Sequence, residues 1–199
     1  MKDNYPDLEG KAVPEYFKKR IRSAAELKRL MPYREAGQGD LGKSLNSEPH
    51  DSGACIYIHV PFCNNSCSFC GYYKCLNPDR RLVDAFTEQV KKDLEYLSGM
   101  PWVAQNEFTA VYFGGGTPSS LPSGSFFDMV DLISREFNLS EDCEISFEST
   151  ISDLDEEYLE GLGKSSVNRV SLGIQSFDDE VRKKNSRISG IDDIRNTVR

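Results

Sequence analysis

Four short apolar runs that alternate with stretches of helical periodicity most constrain what this chain can fold into. From Ala54 onward, each run indicates a strand, and the apolar residues of the segment after it recur with helical spacing. The predicted strands are residues 55–60, 108–116, 143–149 and 168–176, and the predicted helices are residues 77–97, 123–137, 153–162 and one that begins at residue 178. Because strand–helix–strand units connect with right-handed crossovers, this order predicts a parallel α/β sheet.

Alternate residues along the predicted strands differ in polarity. On the first strand, one face carries Ile56, Ile58 and Val60, and the opposite face carries Cys55, Tyr57 and His59. A sheet covered by helices on both faces should be apolar on both, so the polar face favours an incomplete barrel with a ligand inside it. The working end of a barrel is the C-terminal end of its strands. The sequence places at that end Tyr57, His59, Gly115, Glu148 and Gln175.

Composition and the N-terminal region restrict the classes of protein to which the chain can belong. The chain has 199 residues, of which 38% are apolar, enough for one globular core at residues 54–199. Residues 1–53 are predicted to contain a basic helix at 11–30 and a linker at 31–53 rich in turn-forming residues. The sequence has no apolar run long enough for a membrane span and no signal-peptide core, which indicates a cytoplasmic protein. A net charge of −8 argues against nucleic-acid binding.

Three cysteines, Cys63, Cys67 and Cys70, form a C-x3-C-x2-C loop directly after the first strand. In the cytoplasm thiols stay reduced, and clustered thiols there usually bind a metal or react. Zinc with Cys75 or His59 as fourth ligand, a redox disulfide and unligated structural cysteines are all alternatives. A [4Fe–4S] cluster with one open iron is favoured, because three thiolates and no clear fourth ligand leave a coordination position for a substrate or cofactor.

The stretch GGGTPS, residues 114–119, ends the second predicted strand at the same end of the sheet as the cysteine loop. Glycines allow the backbone to approach a ligand closely. The stretch matches neither the dinucleotide-binding fingerprint nor a P-loop, which needs a Gly-Lys-Ser/Thr. A turn with no ligand is the alternative, and its position beside the cysteine loop favours a binding turn.

Three segments together resemble a known family. They are YIHVPFCNNSCSFC (57–70), YFGGGTPSSL (112–121) and NRVSLGIQSFDDEVRKKNSR (168–187). The chain resembles, over about residues 54–199, the radical S-adenosylmethionine (SAM) superfamily, within its oxygen-independent coproporphyrinogen oxidase-like, or HemN-like, branch. The resemblance implies a TIM-like (β/α) barrel that is only partial and open here, with a [4Fe–4S] cluster on the three loop cysteines.

The resemblance also implies cofactor-binding residues and a reaction. Tyr57, Gly115, Glu148 and Arg187 match positions that hold the SAM bound to the open iron, and Gly116, Thr117 and Gln175 match positions around a second SAM found in some members. An electron from a flavodoxin- or ferredoxin-type donor would split SAM into methionine and a radical that abstracts hydrogen. No residue is assigned with certainty as catalytic beyond these cofactor positions.

The Cys-Gly-Tyr-Tyr sequence at residues 70–73 resembles the anaerobic haem-utilisation methyltransferases of this branch more than its coproporphyrinogen oxidases. The expected substrate is therefore a tetrapyrrole, haem or coproporphyrinogen, with radical methyl transfer to haem favoured. Alternatives are a coproporphyrinogen oxidase-like protein, a haem chaperone, or a non-catalytic protein that binds a cluster or haem. The sequence stops inside the helix after the fourth predicted strand, so activity is expected to need a further C-terminal part or a second chain.

Overall fold

The computed structural model describes residues 40–48, 53–72 and 74–198. The chain divides into two units, Met1–Gly42 and Lys43–Arg199, and the sheet with its helices belongs to the second. The basic helix predicted at residues 11–30 lies outside the described residues. A short helix, Asp40–Leu45, lies inside the segment predicted as a linker.

The four predicted strands and the helices after them are present, and the structure adds two short strands and two helices that the sequence pattern did not predict. In chain order they are α1 (Asp40–Leu45), β1 (Ala54–Val60), β2 (Phe62–Cys63), β3 (Cys75–Leu76), α2 (Arg80–Ser98), α3 (Pro101–Gln105), β4 (Phe108–Gly115), α4 (Ser123–Glu136), β5 (Leu139–Ser149), α5 (Glu156–Lys164), β6 (Arg169–Leu172), α6 (Asp179–Lys184) and α7 (Ile191–Thr197). Four strands form one sheet in the order β1-β4-β5-β6, with every pair parallel. β2 and β3 form a separate parallel pair. The sheet is not closed, so the described residues form an open, incomplete barrel.

The predicted polarity of the strand faces is confirmed on β1. Ile56, Ile58 and Val60 are buried there, whereas Tyr57 and His59 are exposed. The buried face packs against aromatic and aliphatic residues of the neighbouring strands and of α4. The fully buried members of this core include Phe113, Phe126, Met129, Ile133 and Phe147. One face of the sheet therefore supplies the hydrophobic core, and the polar side chains of the other face remain accessible.

Three of the described helices, α2, α5 and α6, are preceded by an aspartate whose side chain accepts a backbone N–H that the helix leaves unpaired. Asp79 accepts from Leu82 at the start of α2, and Asp155 accepts from Tyr158 at the start of α5. The sequence offers both Ser152 and Asp155 as capping residues for α5, the third predicted helix, and Asp155 is confirmed in that role. Ser152 instead lies in a 3₁₀ turn, Ile151–Asp153.

The predicted buried face of α2 is partly wrong. The apolar spacing within residues 77–97 predicts that Leu82 and Leu94 share the buried face, but Leu82 is 46% exposed, and Val83 and Thr87 are buried with Leu94 instead. Thr87 was missed because the pattern used apolar residues only. Thr87 can be buried because its hydroxyl donates to the backbone carbonyl of Asp84, which satisfies the polar group inside the helix.

The fourth predicted strand is shorter than expected. β6 ends at Leu172 rather than at Ser176, because Gln175 has a φ of 61°, in the left-handed region that no strand uses. The alternation of this strand predicts that Val170 lies on the apolar face covered by helices, but Val170 is 42% exposed. β6 is an edge of the sheet within the described residues, so its outer backbone groups have no strand beside them there.

Candidate active site

A cavity of about 320 Å³ opens beyond the C-terminal ends of the four sheet strands. Nine of the ten residues predicted for the cofactor site line it: Cys63, Cys67, Cys70, Gly115, Gly116, Thr117, Glu148, Gln175 and Arg187. Tyr57 does not line the cavity and lies on the accessible face of β1, where its side chain is 55% exposed. The sequence predicted a site at the C-terminal ends of the strands, and the cavity lies at that end of the sheet.

The three loop cysteines lie around one wall of this cavity. Cys63 ends β2 and is buried, whereas Cys67 and Cys70 are half-buried in the loop that follows. All six cysteines are free thiols in the described part of the chain. Burial, more than any other cause, raises the pKa of Cys63; nearby Cys70 adds to the rise, and a contact with the Thr117 hydroxyl at 3.4 Å opposes it.

The chemistry of these donors fits an iron–sulfur cluster. Within residues 40–48, 53–72 and 74–198, no three His, Cys or carboxylate side chains are grouped to hold a single metal ion. A cubane cluster differs from a single ion because each thiolate binds a different iron, so its cysteines need not converge on one point. Gly116 helps to make room, because a Cβ there would lie 3.1 Å from Cys63 Sγ and 2.4 Å from the Phe62 carbonyl oxygen.

Residues that follow α6, far from the cysteine loop in the sequence, form hydrogen bonds with that loop. The Asn65 side-chain amide donates to the Ser186 carbonyl, and Ser68 Oγ donates to Asn185 Oδ1 over 3.1 Å. Ser186 has a φ of 57°, a left-handed conformation that turns its carbonyl out of the helical direction. The loop is thus positioned by side-chain contacts with the segment that follows β6.

Arg187 belongs to the same segment and contacts a predicted cluster ligand. Its Nη1 donates to Cys67 Sγ over 3.1 Å, and its Nη2 donates to the Gly173 carbonyl. The family resemblance implies that Arg187 helps to hold SAM. An arginine has five N–H donors, so these two contacts leave others for a ligand in the cavity that Arg187 lines.

The glycine turn approaches the cavity with its backbone. Gly115 has a φ of 110°, and a Cβ there would lie 2.8 Å from the Val60 carbonyl oxygen, so only glycine fits. The Gly116 N–H donates to Val60, and the Thr117 N–H donates to Phe62, each over 2.7 Å. These bonds fix the turn to the segment that leads into the cysteine loop.

Glu148 is a half-buried acidic residue near the C-terminal end of β5. The Tyr112 hydroxyl donates to Glu148 Oε1 over 2.6 Å. This hydrogen bond, with burial, raises the pKa of Tyr112 to about 12. On the neighbouring strand, the Tyr57 hydroxyl lies 3.0 Å from His59 Nδ1, and its pKa is raised by burial first and by the Glu148 charge second.

Sequence reasoning missed several residues that line the cavity or support it. The cavity also contains Asn65, Phe69, Lys74, Ser171, Gly173 and Ser189. Tyr112 was missed as the partner of Glu148. Strand polarity places Tyr112 on the face of β4 opposite Val111 and Phe113, but its contact with Glu148 depends on the register of β4 against β5.

Comparison with known proteins agrees with this geometry. The family model described as the radical SAM superfamily matches residues 57–199, which include both the cysteine loop and the glycine turn. The chain belongs to the radical SAM superfamily. The resemblance deduced from the sequence motifs is thereby confirmed.

Several bacterial proteins resemble the chain. Over 137 residues it is 34% identical to anaerobilin synthase of Escherichia coli O157:H7, a match that covers 67% of this chain and 30% of the relative. It is 32% identical to the heme chaperone HemW of Buchnera aphidicola over 136 residues, 66% of this chain and 35% of the relative. The chain therefore spans about a third of the length of these relatives.

One solved structure matches the fold. Coproporphyrinogen III oxidase (HemN) from Escherichia coli, described as a radical SAM enzyme, superposes with a TM-score of 0.69 and 23% sequence identity. The match covers 82% of this chain and 37% of that one. The fold is thus a partial, open version of the TIM-like radical SAM barrel with parallel strands. Within the described residues, no helix is both long and apolar enough to cross a membrane.

Proposed function

We propose that this chain forms the cluster- and SAM-binding part of a radical SAM enzyme that acts on a tetrapyrrole. The observation that carries the proposal is the cavity at the C-terminal ends of the strands, which is lined by Cys63, Cys67 and Cys70 together with the glycine turn and Glu148. Thiolates, exposed backbone groups and a carboxylate are the groups that a [4Fe–4S] cluster and an amino-acid cofactor require.

The residues divide between two tasks. Cys63, Cys67 and Cys70 would hold the cluster, which when bound supplies the single electron for reductive cleavage of SAM. Glu148 would accept from the SAM ammonium group, and Arg187 would donate to its carboxylate.

Backbone and neighbouring groups complete the proposed cofactor site. Gly115 would present backbone, and Tyr57 would bound the cofactor from β1. Gly116, Thr117 and Gln175 would surround a second SAM if the protein binds two. The cofactors supply the reactive species. The protein binds and orients the cofactors and excludes water from the site.

We favour haem as the substrate and radical methyl transfer as the reaction. Support comes from the Cys-Gly-Tyr-Tyr sequence at residues 70–73 and from the 34% identity to a protein named anaerobilin synthase. Coproporphyrinogen oxidation is the second candidate, supported by 28% identity over 128 residues to the oxygen-independent coproporphyrinogen III oxidase of Salmonella typhimurium. Haem binding without turnover is the third, supported by the similarity to a heme chaperone.

The proposed partners follow from this chemistry. An electron donor of the flavodoxin or ferredoxin type would reduce the cluster. A polypeptide segment, from this or another chain, would pair with the open edge of β6 and complete the barrel around the substrate. We propose a cytoplasmic reaction, because free thiols are maintained in that compartment.

The test of the proposal is anaerobic reconstitution with iron and sulfide. We expect a brown protein with about four irons per chain, and we expect Cys67→Ala to abolish the chromophore. Cys75→Ala is the matched control, because Cys75 lies in β3, outside the residues that line the cavity, and should leave the chromophore intact. Stoichiometric zinc with no iron uptake, or equal loss in both variants, would refute the assignment of the ligands.

The substrate is tested separately. The reconstituted protein, with and without the polypeptide proposed to pair with β6, is given SAM, a flavodoxin-type reductant, and either haem or coproporphyrinogen. Formation of 5′-deoxyadenosine with a methylated, opened tetrapyrrole supports the favoured reaction. Decarboxylated coproporphyrinogen supports the second candidate, and haem binding without SAM cleavage supports the third.

A further inference from the structure

The accessible face of the sheet carries an aromatic residue with no assigned role. We propose that Tyr112 is a positioning residue that orients the Glu148 carboxylate and thereby sets the affinity of the site for SAM. The proposal rests on the proposed function, since it concerns the same ligand. Tyr112 itself is not among the residues that line the cavity, whereas Glu148 is, so Tyr112 would act through Glu148.

Strand register explains how the two side chains meet. Tyr112 pairs with Ser146 across β4 and β5, so Glu148 lies two residues farther along the same face of β5. Diagonal neighbours on one face are within reach of an aromatic side chain. The Tyr112 hydroxyl accordingly donates to Glu148 Oε1 over 2.6 Å and leaves Oε2 to accept from a ligand.

Gly114 leaves the room that this contact needs. A Cβ at Gly114 would lie 2.8 Å from Tyr112 Cε1 and 3.1 Å from Glu148 Oε2. The first distance is shorter than real Cβ contacts, so any side chain here would displace the tyrosine ring or the carboxylate. The first glycine of the triplet thus has a packing role that differs from the roles of Gly115 and Gly116.

The tyrosine ring is also fixed from the opposite side. Tyr57 on β1 is the register partner of Tyr112, and the two rings stack with centroids 6.1 Å apart and an interplanar angle of 27°. The hydrogen bond to Glu148 and burial raise the pKa of Tyr112 to about 12. Tyr112 therefore remains a protonated donor at neutral pH. One oxygen of the Glu148 carboxylate already accepts a hydrogen bond before a ligand enters.

The experiment is a double-mutant cycle on SAM affinity, measured by equilibrium dialysis of the anaerobically reconstituted full chain. Tyr112→Phe keeps the ring and its stacking but removes the donor, and we expect about tenfold weaker SAM binding. In a Glu148→Ala background the same substitution should change affinity less than twofold, because the group through which it acts is absent. Equal losses in both backgrounds, or no loss in either, would overturn the proposal.

A second variant and a control separate positioning from general damage. Gly114→Ala keeps the Tyr112 and Glu148 side chains but displaces one or both, so it should also weaken SAM binding about tenfold; unchanged binding would contradict the packing argument. Tyr96→Phe makes the same chemical change on an exposed residue of α2 and should leave affinity unchanged. Absence of SAM binding by the unaltered protein would instead overturn the proposed function itself, and the iron content of each variant reports cluster loading independently.

Discussion

Replacement of Gly116 by alanine tests how the glycine turn and the cysteine loop fit together. The added Cβ would lie 2.4 Å from the Phe62 carbonyl oxygen and 3.0 Å from the Phe62 carbonyl carbon. Both are backbone atoms, so no side-chain rotation relieves the contact. Either the turn or the segment between β1 and the cysteine loop must move, and the Thr117 N–H bond to Phe62, 2.7 Å long, joins those two parts.

The expected cost follows from these contacts. Insertion of a methyl group into a closely packed site costs about 1–3 kcal/mol. A stretched backbone hydrogen bond adds about 1 kcal/mol. A lower entropy of the unfolded chain offsets about 0.4–1 kcal/mol of this, because alanine is less flexible than glycine. We therefore expect Gly116→Ala to lower the free energy of unfolding by about 1–3.5 kcal/mol.

The assay is urea unfolding of the cluster-free protein, followed by circular dichroism and extrapolated to water. Gly124→Ala is the matched control, because Gly124 lies in α4 with no atom within 4 Å of its added Cβ. Gly124→Ala should leave the free energy of unfolding unchanged or raise it by up to about 1 kcal/mol. Iron uptake should fall in Gly116→Ala alone. A Gly116→Ala protein within about 0.5 kcal/mol of the unaltered protein, with full iron uptake, would refute the packing argument.

Two further predictions concern the cavity. In the Glu148→Ala protein, a SAM concentration about tenfold higher or more should be needed to change the electron paramagnetic resonance spectrum of the reduced cluster, without loss of iron. An unchanged response would put Glu148 outside the SAM site. Arg187→Met should lower the reduction potential of the cluster by about 60 mV, because the contact with Cys67 Sγ supplies a positive charge and a donor that stabilise the reduced form. A redox titration at equal cluster content measures this, and an unchanged potential would show that the contact does not act on the cluster.

The sequence predicted the architecture of the sheet and the location of the site, for reasons that are local. Strand polarity depends only on alternate residues, so the sequence alone assigns the buried Ile58 and the exposed Tyr57 to opposite faces. The cysteine loop and the glycine turn each directly follow a strand, and parallel strands bring their C-terminal ends to one edge. Cys63 and Gly116 therefore had to come close together.

The features that the sequence did not predict depend on contacts between distant residues. The end of β6 at Leu172 depends on the left-handed conformation of Gln175, which no periodicity reveals. The partner of Glu148 depends on the register of β4 against β5, and a shift of two residues would have removed the contact with Tyr112. The sequence named Arg187 from its motif, but its contact with Cys67 spans 120 positions of the chain.

That long separation has a consequence for the order in which the protein matures. Asn65, Ser68 and Cys67 are held by residues 185–187, which the ribosome adds long after the cysteines have emerged. Until that segment folds back, the loop that carries the thiolates has none of these three restraints. We infer that stable cluster insertion follows synthesis rather than accompanying it, so iron should bind weakly to ribosome-bound chains arrested before Asp178 even though every cysteine is already present. Tight iron binding by such arrested chains would contradict this order.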